Sequence, residues 1–406
     1  MQRVHELSVS DARRDNPIEN DTMASKTWKL ADDAGEDYSS NFGTTLSLGR
    51  DDLNVRPQRL YGGLSDGIQV LYVNSGDFSF SVLPTRGMGI WRAQFKNDPI
   101  RWQSPVRGPV HPKFVDVGEP SGLGWLDGFD ELLVRCGLES NGAPEFDDNG
   151  QLTYPLHGRI GNKPAHEVTV TIDDQTEEIT VVGVVDEVRF HFLKLRMKST
   201  IKIKFGESGF RIRDEIQNLS ESPAEMQMLY HTNFGVPLLD AGSRVVVPIK
   251  TLVPRNEHAA SGIANWDSYE APQPGFEEQV YFLELLGDHH GATQTLLRNA
   301  HGTRGVSLFY NTKQLPCFSV WKNTTSVSDG CVTGIEPGTN FPNPRSFEGE
   351  KGRVVKLAPK GSFGFDYGLA YHSNGKEVES AEMAIAKLQG DTKPTIHKTP
   401  QPDWCA

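Results

Sequence analysis

A chain of 406 residues that is 37% hydrophobic and 23% charged has an ordinary globular composition, long enough for two or three domains or one large β domain. Its formal net charge of -12 argues against a nucleic-acid partner, because a phosphate backbone calls for a basic surface. No run of eighteen apolar residues is present, which excludes a helical membrane span.

Residues 1–43 read as a polar N-terminal arm with a short helix around Ser25–Asp33. Met1 to Pro17 is charged and lacks an apolar core, so it does not read as a secretory signal, and the expected compartment is the cytoplasm. Cys136, Cys317, Cys331 and Cys405 fit neither a zinc pattern nor C-x-x-C spacing, so free thiols are expected.

From Thr44 the pattern becomes short alternating or apolar runs. Ile68–Asn74 and Phe78–Leu83 read as strands joined by the turn Asn74-Ser75-Gly76-Asp77. Residues 100–150 read as a loop-rich insertion carrying Trp102, Trp125 and Phe129, and a loop that long is usually functional. Strands resume at Val168–Ile172, Ile179–Val185, Phe190–Ser199, Thr200–Phe205 and Phe210–Asn218. Further ones are predicted at Gln227–Tyr230, Ser243–Pro248, Glu278–Glu284, Thr293–Asn299, Gly305–Tyr310, Cys317–Lys322, Arg353–Leu357 and Ser362–Ala370. The best helix is Lys376–Leu388. So many short strands predict an all-β chain: one large two-sheet antiparallel sandwich over 44–372, then a C-terminal helix and tail over 373–406.

Four segments could carry chemistry. Glu336 lies in Gly334-Ile335-Glu336-Pro337-Gly338-Thr339-Asn340-Phe341-Pro342-Asn343-Pro344, which reads as a proline-stiffened loop presenting a general base. The competing reading is a carboxylate that caps its own loop. His231, in Tyr230-His231-Thr232-Asn233-Phe234-Gly235, offers an imidazole that titrates near neutrality, and Asn233 could orient its ring or bind a hydroxyl. Arg86, in Leu83–Ile90, stands before a glycine and could bind a hydroxyl pair or an anion; the alternative is a plain turn arginine. His157 and Arg159, in Tyr154–Asn162, sit on a glycine-flanked loop, where a satisfied buried histidine is the alternative. Asp127, Asp130 and Glu131 could bind sugar hydroxyls or be solvated loop charges, and Trp125 or Phe129 could stack on a sugar ring. Asn256 and Trp321 are weaker contacts of the same kind.

These segments, in this order, resemble the aldose 1-epimerase (galactose mutarotase) superfamily over roughly residues 60–370. The resemblance implies a β-supersandwich with an open groove across one sheet. It implies Glu336 as the base that deprotonates the anomeric hydroxyl and His231 as the acid that protonates the ring oxygen. It implies His157 and Arg86 as ligands of sugar oxygens, with no cofactor and no metal. The chain departs from the family where Arg159 replaces a second glycine and where no Asp-rich sugar-binding segment separates the His and Glu loops. Arg86, Arg135 and Arg159 suggest an acidic sugar. Three rivals stand beside the mutarotase: a non-catalytic carbohydrate-binding protein, a metal-dependent sugar isomerase using His111, His157, His231 and Glu336, and a lyase acting on uronates. The sugar and the oligomeric state are not readable from the sequence.

Overall fold

The computed structural model describes residues 24–406. Two large sheets pack face to face. The nine-stranded sheet runs from Ser25–Ala31 through Glu167–Asp173, Glu178–Val188, Lys194–Lys204, Gly209–Asn218, Ser362–His372, Gly305–Asn311 and Ala292–Arg298 to Arg244–Val246. The thirteen-stranded sheet begins at Leu53–Arg59, Gln69–Ser75, Phe78–Leu83 and Gly89–Phe95. It continues through Leu133–Leu138, Ala224–Phe234, Val332–Gly338, Cys317–Asn323 and Gln279–Leu285 to Ile249–Pro254.

Alternation explains why the sheets stack. Lys194–Lys204 buries every second side chain, so Leu195, Met197, Ile201 and Ile203 face inward while its lysines face water. Val55, Leu71, Val82, Met228 and Tyr230 of the larger sheet meet Val170, Val181, Ile212 and Phe365 of the smaller one in a single core. A buried ion pair crosses it. Arg135 Nε lies 2.5 Å from Asp214 Oδ2, Arg135 Nη2 donates to Ser199 Oγ (2.8 Å), and the Tyr230 hydroxyl donates to the same Asp214 oxygen (2.8 Å). Arg135 and Tyr230 are thereby pinned inward, so Val134, Cys136, Leu229, His231 and Asn233 must face outward.

Four expectations are corrected. Ser25–Ala31 is a strand rather than a helix, paired with Glu167–Asp173 at the sheet edge; the rest of the expected arm, residues 1–23, lies outside the described residues. The 100–150 insertion contributes a central strand, Leu133–Leu138, so only its remainder is loop. Glu336 lies within the strand Val332–Gly338, because Pro337 sits near the strand end where a missing N–H is tolerated. His231 likewise lies within the long strand Ala224–Phe234. The C-terminal helix is Gly375–Gln389, capped by the Asn374 side chain. No helix among the described residues is long and apolar enough to cross a membrane.

Candidate functional site

The register that pairs Thr232 with Ile335 sets His231 across from Glu336 on the outer face of the larger sheet. His231 Nε2 is 3.3 Å from Glu336 Oε1, and the residues are 4% and 3% exposed. Oε1 makes no aligned hydrogen bond, so the two groups touch without being locked together. Gly334 gives them room. It shares their face, and a Cβ there would collide with the Glu336 carboxylate.

Asn233 decides the tautomer of His231. Asn233 Nδ2 donates to the carbonyls of Glu131 (3.0 Å) and His231 (3.2 Å), which turns Oδ1 toward His231 Nδ1 at 2.7 Å. Nδ1 therefore carries the proton, and the lone pair of Nε2 faces Glu336; this assignment follows from the hydrogen-bond network. Burial lifts the Glu336 carboxyl to about 8, with Glu278 adding repulsion, so it is largely protonated at neutral pH. Burial holds His231 well below its ordinary value, and the neighbouring His157 pushes the same way. The resting pair is thus a neutral carboxyl facing a neutral imidazole. This is the reverse of the protonation that a Glu base and a His acid need at the start of a turnover.

His157 occupies a left-handed turn (φ 57°), followed by Gly158 (φ 70°) packed onto the carbonyls of Ser140 and Gly137. Its ring stands edge-on to His231 at 5.1 Å, and its Nδ1 meets the Asn141 carbonyl at 3.0 Å. Burial depresses its pKa to about 4, so it too is neutral. Asn141 exchanges amide hydrogen bonds with Asn340 (2.9 and 2.7 Å), tying the His157 loop to the end of the Glu336 strand. Neither asparagine was singled out from the sequence; the Gly-Thr-Asn run after Pro337 was the available signal.

An aromatic wall surrounds the pair. Phe129 lies 5.2 Å, Trp321 5.5 Å and Trp125 5.8 Å from the His231 ring. Trp125 is only 2% exposed and packs behind His157, so it lines the wall and is not free to stack on a sugar. Trp321 is partly open, its indole N–H fixed on Glu278 (2.7 Å).

The arginines are placed differently from the expectation. Arg86 is 1% exposed and bonded to Glu131, Asn162 and the carbonyls of Val110 and Gly128. It braces the Glu131 segment whose carbonyl holds Asn233, so it acts on His231 through two intermediaries instead of touching a ligand. Arg135 is the core bridge described above. Arg159 lies 3.4 Å from Glu139 and lines a separate depression with Lys163 and Glu187. The three arginines that suggested an acidic sugar are thus engaged internally or elsewhere.

The remaining residues fall as follows. Asp127 is exposed on the short 3-10 turn Gly124–Gly128. Asp130 accepts from Trp91 Nε1 (2.7 Å). Asn256 caps the helix Glu257–Ser261 through Ala259 N (2.8 Å). The His111 ring accepts from Lys113 N in its own turn (3.1 Å), and the one cluster of three close potential metal ligands among the described residues is Asp33, His166 and Glu167, which includes none of His111, His157, His231 and Glu336.

Structural comparison finds the same fold in solved proteins. A Klebsiella pneumoniae protein described as a candidate aldose 1-epimerase is 36% identical, with 93% of this chain and 99% of that chain covered at a TM-score of 0.89. A galactose mutarotase-like protein from Clostridium acetobutylicum (16% identity, 80% of this chain and 100% of that one, TM-score 0.54) shares the fold. So does galactose 1-epimerase from Lactobacillus acidophilus (10% identity, 79% and 99%, TM-score 0.52). Comparison with curated protein sequences gives no match. A family profile described as a domain of unknown function, DUF4432, matches residues 65–370, so the chain belongs to that family, built on the galactose mutarotase-like β-sandwich.

Proposed function

We propose that the protein is an aldose 1-epimerase-like enzyme that interconverts sugar anomers by ring opening at Glu336 and His231. The supporting observation is the buried pair itself, two facing groups 3.3 Å apart that hold one transferable proton between them. In ring opening the Glu336 carboxylate takes the proton of the anomeric hydroxyl. The C1–O5 electron pair passes to O5 as the C1 carbonyl forms, and the His231 imidazolium gives O5 its proton. The pair is then a neutral carboxyl and a neutral imidazole, the state that burial favours in the empty site. Rotation about C1–C2 presents the other carbonyl face, and closure returns both protons.

A cyclic sugar is therefore engaged after the proton moves from Glu336 to His231 Nε2. Sugar hydroxyls that donate to the carboxylate favour that shift, because hydrogen bonds to a charged form stabilise it. Trp321 supplies a partly open aromatic face for the apolar side of a sugar ring. The scheme asks roughly 10²–10⁴-fold of the acid–base pair.

The test is saturation-transfer NMR of anomeric exchange over a panel of neutral and acidic sugars, with wild type and Glu336→Gln. Exchange accelerated by wild type and not by the variant supports the reading and names the sugar. Binding without acceleration for every sugar replaces it with a carbohydrate-binding role.

A further inference from the structure

Most arginines in the described chain sit against carboxylates, among them Arg50, Arg86, Arg135, Arg196, Arg213 and Arg353. Four that converge on one groove do not. Arg56, Arg92, Arg101 and Arg107 line a continuous depression over the outer face of Leu53–Arg59, Gln69–Ser75, Phe78–Leu83 and Gly89–Phe95. Its main part has a volume of about 680 Å³. None of the four lies within 4.0 Å of a carboxylate among the described residues, although the chain as a whole carries a net charge of -12.

A bulge sets the position of Arg92. Ser81 pairs with Arg92 and Val82 with Ile90, so Trp91 is the extra residue and both Trp91 and Arg92 point outward. The Arg92 guanidinium stacks 3.3 Å over the Trp91 ring, and that of Arg56 lies 5.3 Å over Tyr72. Stacking fixes each guanidinium plane and leaves its edge N–H donors free, a geometry suited to tetrahedral anions. Burial and the charge of Arg101 both lower the Arg92 pKa, which reports like charges held together. The carboxylates in the lining are Asp51 at one end and Asp130 at the other. Burial lifts Asp130 to about 7, so it offsets only part of the positive charge at neutral pH. Tyr72 and Ser81 lie between Arg56 and Arg92 in one cross-strand row, and Asn54, Asn74, Ser79 and Gln94 supply neutral polar groups in the row beside it.

We propose that this groove binds a small phosphorylated or sulfonated sugar, its anionic group held by Arg92 and Arg101 and its hydroxyls by the neutral polar lining. A small molecule fits better than a long polyanion, which the strongly negative chain as a whole repels. The groove lies on the same sheet face as His231. It is separated from His231 by Trp102, which lines the groove and packs on Phe129 (4.7 Å), and by Phe129 itself. The proposal therefore does not rest on the acid–base reading.

The experiment is calorimetric titration of the full chain at low ionic strength with glucose 6-phosphate, inorganic phosphate and glucose as probes. Glucose 6-phosphate is expected to bind saturably and about 5-fold or more tighter than phosphate, because the polar lining adds to the anion contact. Arg92→Gln and Arg101→Gln should each weaken it by about 10-fold. Arg101 is exposed, so its replacement leaves the fold intact, which a thermal melt verifies. Arg189→Gln, which alters a guanidinium stacked on Phe192 outside the groove, should leave the affinity unchanged, and so should Glu336→Gln. Absence of saturable binding overturns the proposal, as does equal weakening by Arg189→Gln. Loss of binding in Glu336→Gln would place the anion in the catalytic cleft and reject the groove. Equal affinity for phosphate and glucose 6-phosphate would reject a sugar ligand.

Discussion

Asn233 holds the Nδ1 proton of His231: its Oδ1 lies 2.7 Å from that nitrogen, while its amide N–H groups are engaged by two carbonyls. Replacing Asn233 by Asp puts a carboxylate at Nδ1 and stabilises the imidazolium. The expected outcome is a His231 pKa raised relative to wild type, read from ¹⁵N chemical shifts. The acid limb of the pH–rate profile should move upward with it. Asn233→Ala frees the tautomer and should lower kcat by about 10-fold or more with a smaller effect on KM. An unchanged nitrogen spectrum in Asn233→Asp would refute the orienting role.

Glu336 makes stability depend on pH in a stated direction. Its folded pKa, about 8, is raised above the ordinary carboxylate value, so the folded state holds the proton more tightly than the unfolded chain does. The protonated carboxyl therefore supports folding below the unfolded value, and that support is lost progressively as pH rises from about 5 to 8. Glu336→Gln keeps a neutral group at the position. Its melting temperature should rise relative to wild type as the pH goes from 6 to about 9. Parallel melting curves at both pH values would show that the carboxyl is not held protonated.

The two histidines work in the opposite sense. Burial lowers His231 and His157 in the fold, so both resist charging, and the stability they contribute while neutral is lost as pH falls below about 6.5 toward their folded values. His157→Gln should flatten the acid limb of the stability profile, measured as the denaturation midpoint between pH 4 and about 7.

Gly334 is a spacer between Asn233 and Trp321, in the row next to His231 and Glu336. A Cβ there meets the Glu336 carboxylate, which must then turn away from His231. Gly334→Ala should lower anomeric exchange by about 10-fold or more while costing only on the order of 1–3 kcal/mol of stability. A fully active alanine variant would mean that the 3.3 Å approach of His231 and Glu336 is not needed.

Arg135 is a core residue in this structure. Arg135→Met leaves Asp214 buried without its partner and should cost about 3–5 kcal/mol, read from chemical denaturation. The double variant Arg135→Met/Asp214→Leu should recover much of that loss. Recovery shows that the penalty comes from an orphaned charge and not from lost contacts to a ligand.

The fold was legible because its signals are local. Gly209–Asn218 alternates with period two after the Gly206–Gly209 turn, whereas Lys194–Lys204 is one strand where the sequence reads two, Phe190–Ser199 and Thr200–Phe205. The helix expected over Lys376–Leu388 is found at Gly375–Gln389, where the structure adds the Asn374 cap. Ser25–Ala31 misled because its strand character comes from pairing with Glu167–Asp173, far along the chain. Glu336 and Asn233 were legible as polar residues in unusual local company. Their placement within strands was not, since a strand containing Pro337 reads as a loop until the neighbouring strands are in place.

The sequence by itself determined the strand-rich pattern, the order of the four polar segments and the identity of the two groups that meet at the centre of the site. Tertiary structure decided what each charged group faces. Arg86 and Arg135 became internal braces because Glu131 and Asp214 approach them from distant segments. Arg56, Arg92, Arg101 and Arg107 became a groove because cross-strand register sets Arg56 and Arg92 in one outward row and the segment after Ile100 brings Arg101 and Arg107 beside them, with no carboxylate within ion-pair distance among the described residues. Periodicity fixes which face a side chain occupies, but register and long-range pairing fix its neighbours, and the neighbours set its charge.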